Sequence, residues 1–155
     1  MAQSVEEAIR GLRVIVAGLI AGLLAFAVLA VVVRTSMTPT GSVPPLVLLG
    51  LLAVVAVSSA AAYAAQYKKV VRDLSVRATE LRQLAEPSSA IVGPYRAFAI
   101  VGAALIEGPS FFALIVYILT GQPLAMVAAA LGVVLLIAHL PSRSAVRRLG
   151  ERATQ

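Results

Sequence analysis

The longest apolar stretch of this chain runs from Ala97 to Ser142, and Glu107 is the only charged residue in it. One crossing of a bilayer core about 30 Å thick takes roughly 17–25 helical residues, so this stretch is long enough for two crossings. The turn-forming sequence Thr120–Pro123 divides it near the expected boundary. The stretch therefore predicts two membrane-spanning helices joined by a tight turn.

Two further apolar segments precede this stretch, and together they give four candidate spans. These are Val14–Val33, Pro45–Tyr67, Ala97–Leu119 and Leu124–Leu140. Hydrophobic residues make up 60% of the chain, which is typical of an integral membrane protein. Because the apolar residues are continuous and do not alternate, helices are predicted and β-barrel strands are not. We predict an all-α polytopic membrane protein, a single domain over residues 1–155 whose four transmembrane helices run up and down in antiparallel order.

The basic residues orient these spans. Of the 13 Lys and Arg residues, all but Arg34 fall on one side of the four-span arrangement. The positive-inside rule then predicts that both termini and the central loop are cytoplasmic, in a prokaryotic inner (plasma) membrane. The basic flanks are expected to meet anionic lipid headgroups, and not nucleic acid. Glu6, Glu7 and the long first apolar run favour a retained span over a cleavable signal peptide.

The segment that follows the second span is predicted to continue its helix. Apolar residues recur there three or four positions apart between charged ones, which indicates an amphipathic cytoplasmic extension over residues 68–86. A weak repeat at an offset of 86 also matches Leu19-Ile20 with Leu105-Ile106 and Gly22 with Gly108. Two repeated hairpins would account for these matches, but apolar helices of low complexity also produce them readily, and both explanations stay open.

Small residues are expected to mediate packing between the spans, because lipid provides no hydrophobic drive for helix association. Gly18 and Gly22 have the four-residue spacing of close helix contacts, and Gly108 is the counterpart of Gly22 in the repeat. Two interpretations remain open. The small faces pack within one chain, or one of them seals against a second copy or a larger partner.

Glu107 is the strongest candidate for a functional residue. It lies ten residues into its span, or about 15 Å at 1.5 Å per residue, which is near the middle of the bilayer. A carboxylate at that depth costs several kcal/mol unless it is protonated, paired or facing water. Two interpretations stay open. The residue binds a proton or a small cation, or it is a neutral acid that donates one hydrogen bond between helices.

Several oxygen atoms are expected close to this carboxyl group. Pro109 lacks an amide hydrogen and should free the carbonyl of Leu105. Hydroxyl groups at comparable depth belong to Ser110, Ser58 and Ser59. Carboxylate, carbonyl and hydroxyl oxygens are ligands for small hard cations, so this set is the predicted ion site.

An enzyme is not expected from this sequence. Ser110 has no histidine or second acid near it that could complete a hydrolytic set, and no glycine-rich phosphate loop is present. The chain has no cysteine, and its single histidine, His139, is predicted to be an interfacial residue. We therefore predict no cofactor and no metal site.

The residues around Glu107 carry a resemblance to a known family. Ala104–Gly108 followed by Phe111–Tyr117 resembles the carboxylate-bearing helix of the proteolipid c subunits of rotary ATPases, and Ser58–Ala65 resembles the small-residue face of the preceding helix. The resemblance is distant and covers spans 2 and 3, roughly Pro45–Leu119. It implies that Glu107 is an ion-binding residue.

Two functions of different classes follow from these observations. In the first, the chain is a small homo-oligomeric protein that binds or translocates a proton or cation at Glu107. In the second, it is a non-catalytic accessory subunit that packs against a larger membrane complex, and Glu107 is a buried hydrogen-bond donor. Membrane lipids are expected partners in both.

Overall fold

A computed structural model describes residues 5–36, 44–76, 87–142, 144–145 and 148 of this protein. Within these ranges the regular structure is entirely helical, which confirms the predicted all-α class. The four helices are α1 (Val5–Ser36), α2 (Pro45–Val76), α3 (Pro87–Thr120) and α4 (Pro123–Ala138).

Three of these helices are long and apolar enough to cross a membrane. The qualifying stretches are Glu6–Ser36, Pro45–Val76 and Gly93–Thr120. Helix α4 is also apolar but has only 16 residues, or about 24 Å of length. It stops before the predicted end at Leu140 because Pro141 disfavours helical backbone at the residue before it. The fourth predicted span is therefore a shorter helix than expected.

The helices extend beyond the apolar segments that predicted them. Helix α2 continues through Lys68 and Lys69 to Val76, so the first half of the predicted extension is helical. Residues 77–86, the rest of that extension, lie outside the described residues. Large apolar side chains on the outer faces are exposed, for example Val14 at 69% and Leu46 at 83%. Such a surface suits contact with lipid tails.

Helix α3 is the centre of the bundle. Helices α1, α2 and α4 each pack along α3, whereas α1 and α4 meet over a shorter stretch. The face of α3 that carries this packing includes Ala103, Ala113 and Leu114, which have no exposed surface. Small side chains on this face let the neighbouring helix backbones approach closely.

One end of the bundle, here named the basic end, carries most of the described Lys and Arg residues. A cluster there joins three helices: Ile9 and Leu12 of α1, Leu74 of α2, and Tyr95 and Ala99 of α3. The Arg13 Nε donates a hydrogen bond of 2.9 Å to the carbonyl oxygen of Pro141, just beyond α4. This bond links the first helix to the segment that follows the last.

At the opposite end of the bundle, Arg34 of α1 contacts the end of α3. Arg34 Nη1 donates a hydrogen bond of 3.4 Å to the carbonyl oxygen of Ile118, close to the end of α3. The turn after α3 contains Gly121, whose φ of 69° lies in the left-handed region that glycine tolerates best. The amide of Gly121 donates to the Tyr117 carbonyl at 2.8 Å and closes the last turn of the helix.

Contacts at both ends set the register of α1 on α3. Leu12 and Tyr95 share the cluster at the basic end, and Arg34 reaches Ile118 at the other. Between them, the rings of Phe26 and Phe111 lie 5.2 Å apart. The two helices therefore run side by side in the same direction. The up-and-down order across a membrane and the repeated hairpins stay predictions.

Candidate functional site

Glu107 lies at the middle of α3 and at the edge of its buried face. The membrane-length stretch of this helix is Gly93–Thr120, so about equal lengths of helix extend on either side of the acid. Spacings of three, four and seven residues place Glu107 on the same side of the helix as the buried residues Ala103, Ser110 and Leu114. Glu107 itself is half-buried.

The Glu107 carboxyl group has no hydrogen-bond or ion-pair partner among the residues that the structure describes. In those same residues, no cluster of three or more acids and histidines could hold a metal ion. In the middle of a membrane, an unpaired charged carboxylate is strongly disfavoured. Glu107 would therefore be neutral there or would be paired with a group outside the described residues.

A cleft of about 760 Å³ lies beside this acid, with α3 as its floor and α2 and α4 as its walls. Its surface is mainly apolar, and residues from all three helices contribute to it. The wall and floor residues include Leu49, Leu52, Ala56, Ser59, Tyr63, Leu105, Pro109, Ser110, Val127, Ala128, Leu131 and His139. The cleft runs from Leu49 and Leu124, toward the Arg34 end, to Tyr63 and His139, toward the basic end.

Only part of the predicted ion site lies at this cleft. Leu105, Ser59 and Ser110 line the cleft, whereas Glu107 and Ser58 do not. Two of the hydroxyl groups bond to their own helices: Ser110 Oγ donates to the Ile106 carbonyl at 2.8 Å, and Ser58 Oγ donates to the Val55 carbonyl at 3.0 Å. Only some of the oxygens that the sequence suggested for one ion therefore line the cleft, and the Glu107 carboxyl group is not among them.

The three glycines predicted to mediate helix packing face open space within this chain. A Cβ atom added at Gly18, Gly22 or Gly108 would meet no atom within 4 Å. Their role as packing positions therefore stays a prediction about contacts with another chain. Close approaches inside the bundle occur at Gly102 and Gly132 instead.

The basic end of the cleft is closed by a polar pair of side chains. The His139 Nε2 lies 3.2 Å from the carbonyl oxygen of Ala99. Because a carbonyl only accepts, this contact requires a proton on Nε2, which leaves Nδ1 of the neutral ring as an acceptor. The Tyr63 hydroxyl lies 3.4 Å from Nδ1 and donates to it. The imidazole ring therefore bridges α2 and α3.

The rings of Tyr63 and His139 pack against Phe98 and against the backbone of α3 at Gly102. The Phe98 ring lies 5.3 Å from the ring of Tyr63 and 6.0 Å from that of His139, measured between centroids. A Cβ atom at Gly102 would lie 2.8 Å from His139 Nε2 and 2.9 Å from Tyr63 Cε2. Any side chain at position 102 would therefore require both rings to shift.

Sequence reasoning placed His139 at the membrane interface and missed this contact. Tyr63 and His139 are separated by 76 positions, so no local motif joins them. The available signal was their similar distance from the basic end, since each lies near the basic flank that follows its own span.

Comparison of the chain with protein-family models, with curated proteins and with solved structures finds no match.

Proposed function

We propose that this chain is a small integral membrane protein in which Glu107 binds a proton or a cation at a contact between two copies, as part of ion translocation across the membrane. The observation that carries the proposal is the half-buried, mid-helix carboxyl group with no partner among the described residues. Ionisable residues inside a membrane are costly and concentrate on ion and proton pathways.

The surface beside the acid supports a contact between copies. Phe26 faces Phe111, so Gly22, four residues before Phe26, lies at the same level as Glu107, four residues before Phe111. Gly22 and Gly108 are both open, and a second helix could approach the backbone closely at this level. A second chain could then supply a hydrogen-bond partner or oxygen ligands for Glu107, because the Ser58 and Ser110 hydroxyls donate their protons to carbonyls of their own helices.

The distant resemblance to proteolipid c subunits is consistent with this proposal. In that family a helix rich in small residues leads into a cytoplasmic loop, and the returning helix carries the ion-binding carboxyl at mid-membrane. We also propose the membrane placement predicted from the charges, with the basic end in the cytoplasm of a prokaryotic cell.

A second candidate function is that of an accessory subunit in a larger membrane complex. The same open glycines and the same lone acid favour it, because a protonated carboxyl can donate one hydrogen bond to a different protein as readily as to a second copy. In this case Glu107 never needs to ionise.

Carbodiimide labelling tests the proposed site. A hydrophobic carbodiimide reacts with protonated carboxyl groups within the bilayer, so we expect it to label Glu107 in proteoliposomes and to leave the exposed Asp73 unlabelled. Labelling should decrease as the pH is raised. If the site also takes Na⁺, added Na⁺ should protect it at constant ionic strength and K⁺ should not. Absence of labelling at every pH would exclude Glu107 as a proton-binding site.

The variant Glu107→Gln separates the two functions. It keeps the shape and a hydrogen-bond donor but cannot ionise. Ion translocation predicts normal assembly, measured as native mass in a mild detergent, together with loss of ion flux in proteoliposomes. The accessory role predicts normal assembly and no flux in either the variant or the wild type.

A further inference from the structure

The cleft between α2 and α4 has the dimensions and polarity of a ligand site. Its volume of about 760 Å³ falls within the range of small-molecule pockets, roughly 300–1,000 Å³. Such sites combine mainly apolar walls with a few placed polar groups. Glu107 does not line this cleft, so a ligand here would be independent of the proposed ion site.

Ser110 lines the cleft, but its hydroxyl donates to the Ile106 carbonyl of its own helix; the other polar side chains of the cleft lie toward one end. From Leu49 to Tyr63 the α2 wall is about 21 Å long at 1.5 Å per residue. Ser59 and Tyr63, one turn apart, and His139 across from them lie in the part nearest the basic end. An occupant of matching chemistry has a long apolar chain and a polar group at one end only.

Hydrogen bonding defines that polar group more closely. Because His139 Nε2 donates to the Ala99 carbonyl, Tyr63 donates its own proton to Nδ1. The phenol oxygen of Tyr63 then retains lone pairs but has no further proton to give. It therefore accepts a hydrogen bond from a donor on the ligand. The Ser59 hydroxyl has no hydrogen-bond partner among the described residues, so it can form a second hydrogen bond to the ligand's polar group.

The rim of the cleft indicates entry from the lipid phase. Val127 and Leu131 of α4 line it and are 63% and 57% exposed, and Ala56 on the α2 wall is also exposed. These side chains face outward from two apolar helices, so the cleft opens sideways between α2 and α4. A molecule dissolved in the bilayer reaches it without passing through water.

We propose that this cleft binds a single-chain lipid with a hydroxyl head group, its hydroxyl donating to Tyr63 and its chain lying between α2 and α4. The lipid chain contacts the apolar walls, and the head hydroxyl contacts the polar side chains near the basic end. The ligand is neutral, because no Lys, Arg, Asp or Glu side chain lines the cleft in the described residues and the His139 ring there is the neutral form.

Photolabelling with a defined probe tests the proposal. The probe is hexadecanol that carries a photoreactive diazirine in its chain, and the comparison probe is its methyl ether, which has no hydroxyl donor. With the full chain in nanodiscs, we expect saturable labelling of α2 and α4 peptides that unlabelled hexadecanol competes away. Labelling of all helices in proportion to their exposed surface, without saturation, would overturn the proposed site.

Two variants block the chain-binding part of the cleft from opposite walls. Ala56→Phe and Ala128→Phe each place a ring in it, and either should remove the saturable labelling. Ala61→Phe is the matched control, because Ala61 is exposed on α2 and does not line the cleft. If both blocking variants fold and label like the control, the cleft is not where the probe binds.

A substitution at Tyr63 tests the contact with the head group. Tyr63→Phe should weaken the alcohol by roughly two- to tenfold, the effect of one neutral hydrogen bond, and leave the ether unchanged. Tyr67→Phe, which removes a phenol that does not line the cleft, should change neither probe. Equal affinity of alcohol and ether for the wild type would overturn the assignment of a hydroxyl head.

Discussion

Ser110 of α3 lies directly against Gly132 of α4, so closely that a Cβ atom at position 132 would overlap the Ser110 hydroxyl. That hydroxyl donates to the Ile106 carbonyl at 2.8 Å, and the residue is only 3% exposed. The short helix α4 is thus seated on α3 through a contact that only glycine allows. Lipid gives no hydrophobic drive for this association, so close packing has to supply it.

Replacing Gly132 with Ala should therefore destabilise the bundle. Overpacking of a tight contact costs about 1–3 kcal/mol, and here it would push α4 away from α3. Thermal unfolding in a mild detergent measures the loss. Gly50→Ala is the matched control, because a Cβ at Gly50 meets nothing within 4 Å. A normal midpoint for Gly132→Ala would contradict the tight contact.

A size swap tests the same contact more specifically. The Ser110 Cβ lies 2.8 Å from the position of an added Cβ at residue 132, so removing only the hydroxyl leaves a clash. Ser110→Gly combined with Gly132→Ala should recover much of the stability, whereas Ser110→Ala with Gly132→Ala should recover less. Purely additive effects of the single changes would show that the two residues are not coupled.

Arg34 gives a second prediction. It is the exception to the one-sided charge distribution, and the structure places its guanidinium at the carbonyl end of α3, where a cation interacts favourably with the helix dipole. Arg34→Met should lower the stability by about 0.3–1 kcal/mol, as measured by unfolding at low salt. Arg10→Met, at an exposed position of α1, is the control. Equal effects of the two changes would argue against a specific role for Arg34.

Gly121, in the turn after α3, lies against the Arg34 side chain. Its φ of 69° is strained for any residue with a Cβ, and the Arg34 guanidinium occupies the space that a Cβ would need. Gly121→Ala should therefore cost about 1–2 kcal/mol from the backbone, with the displaced arginine adding to it. If Arg34→Met relieves part of this cost, the double variant will be more stable than the sum of the single changes implies.

The sequence predicted helices well because membrane spans require continuous apolar runs. It did not predict where they end. The apolar run Val14–Val33 marks the lipid-compatible part of α1, while the helix itself is Val5–Ser36, since polar residues at the ends of a span are also helical. In α4 the reverse holds, because Pro141 ends the helix before the apolar run does.

Less of the candidate site than of the fold could be predicted from the sequence. Glu107 was identifiable because a lone charge in an apolar run is rare. The use of the Ser110 hydroxyl was not, because a serine inside a helix either bonds back to its own backbone or faces a neighbour, and spacing does not distinguish the two. The pairing of Tyr63 with His139 depends on how three helices meet, which no local pattern encodes.

The open glycines predict a contact between chains. Gly18→Leu or Gly22→Leu should leave the fold of a single chain intact, because nothing lies within 4 Å of an added Cβ, but should disrupt assembly if a second helix packs there. Native mass in a mild detergent reports the assembly. Val14→Leu and Val28→Leu, at positions 69% and 66% exposed, are controls. Unchanged mass in both glycine variants would argue that these residues face lipid only.

The orientation of the chain can be tested with single cysteines, because the protein has none of its own. The one-sided distribution of Lys and Arg predicts that the basic end is cytoplasmic and the Arg34 end is outside. Cysteine at Gln122, in the turn before α4, or at Thr38, outside the described residues, should react with an impermeant thiol reagent in intact cells. Cysteine at Ser75 or Ser144, both exposed at the basic end, should react only after the cells are opened. The reverse pattern would invert the bundle, and reaction of Gln122 and Ser144 from the same side would show that the short helix α4 does not cross the membrane.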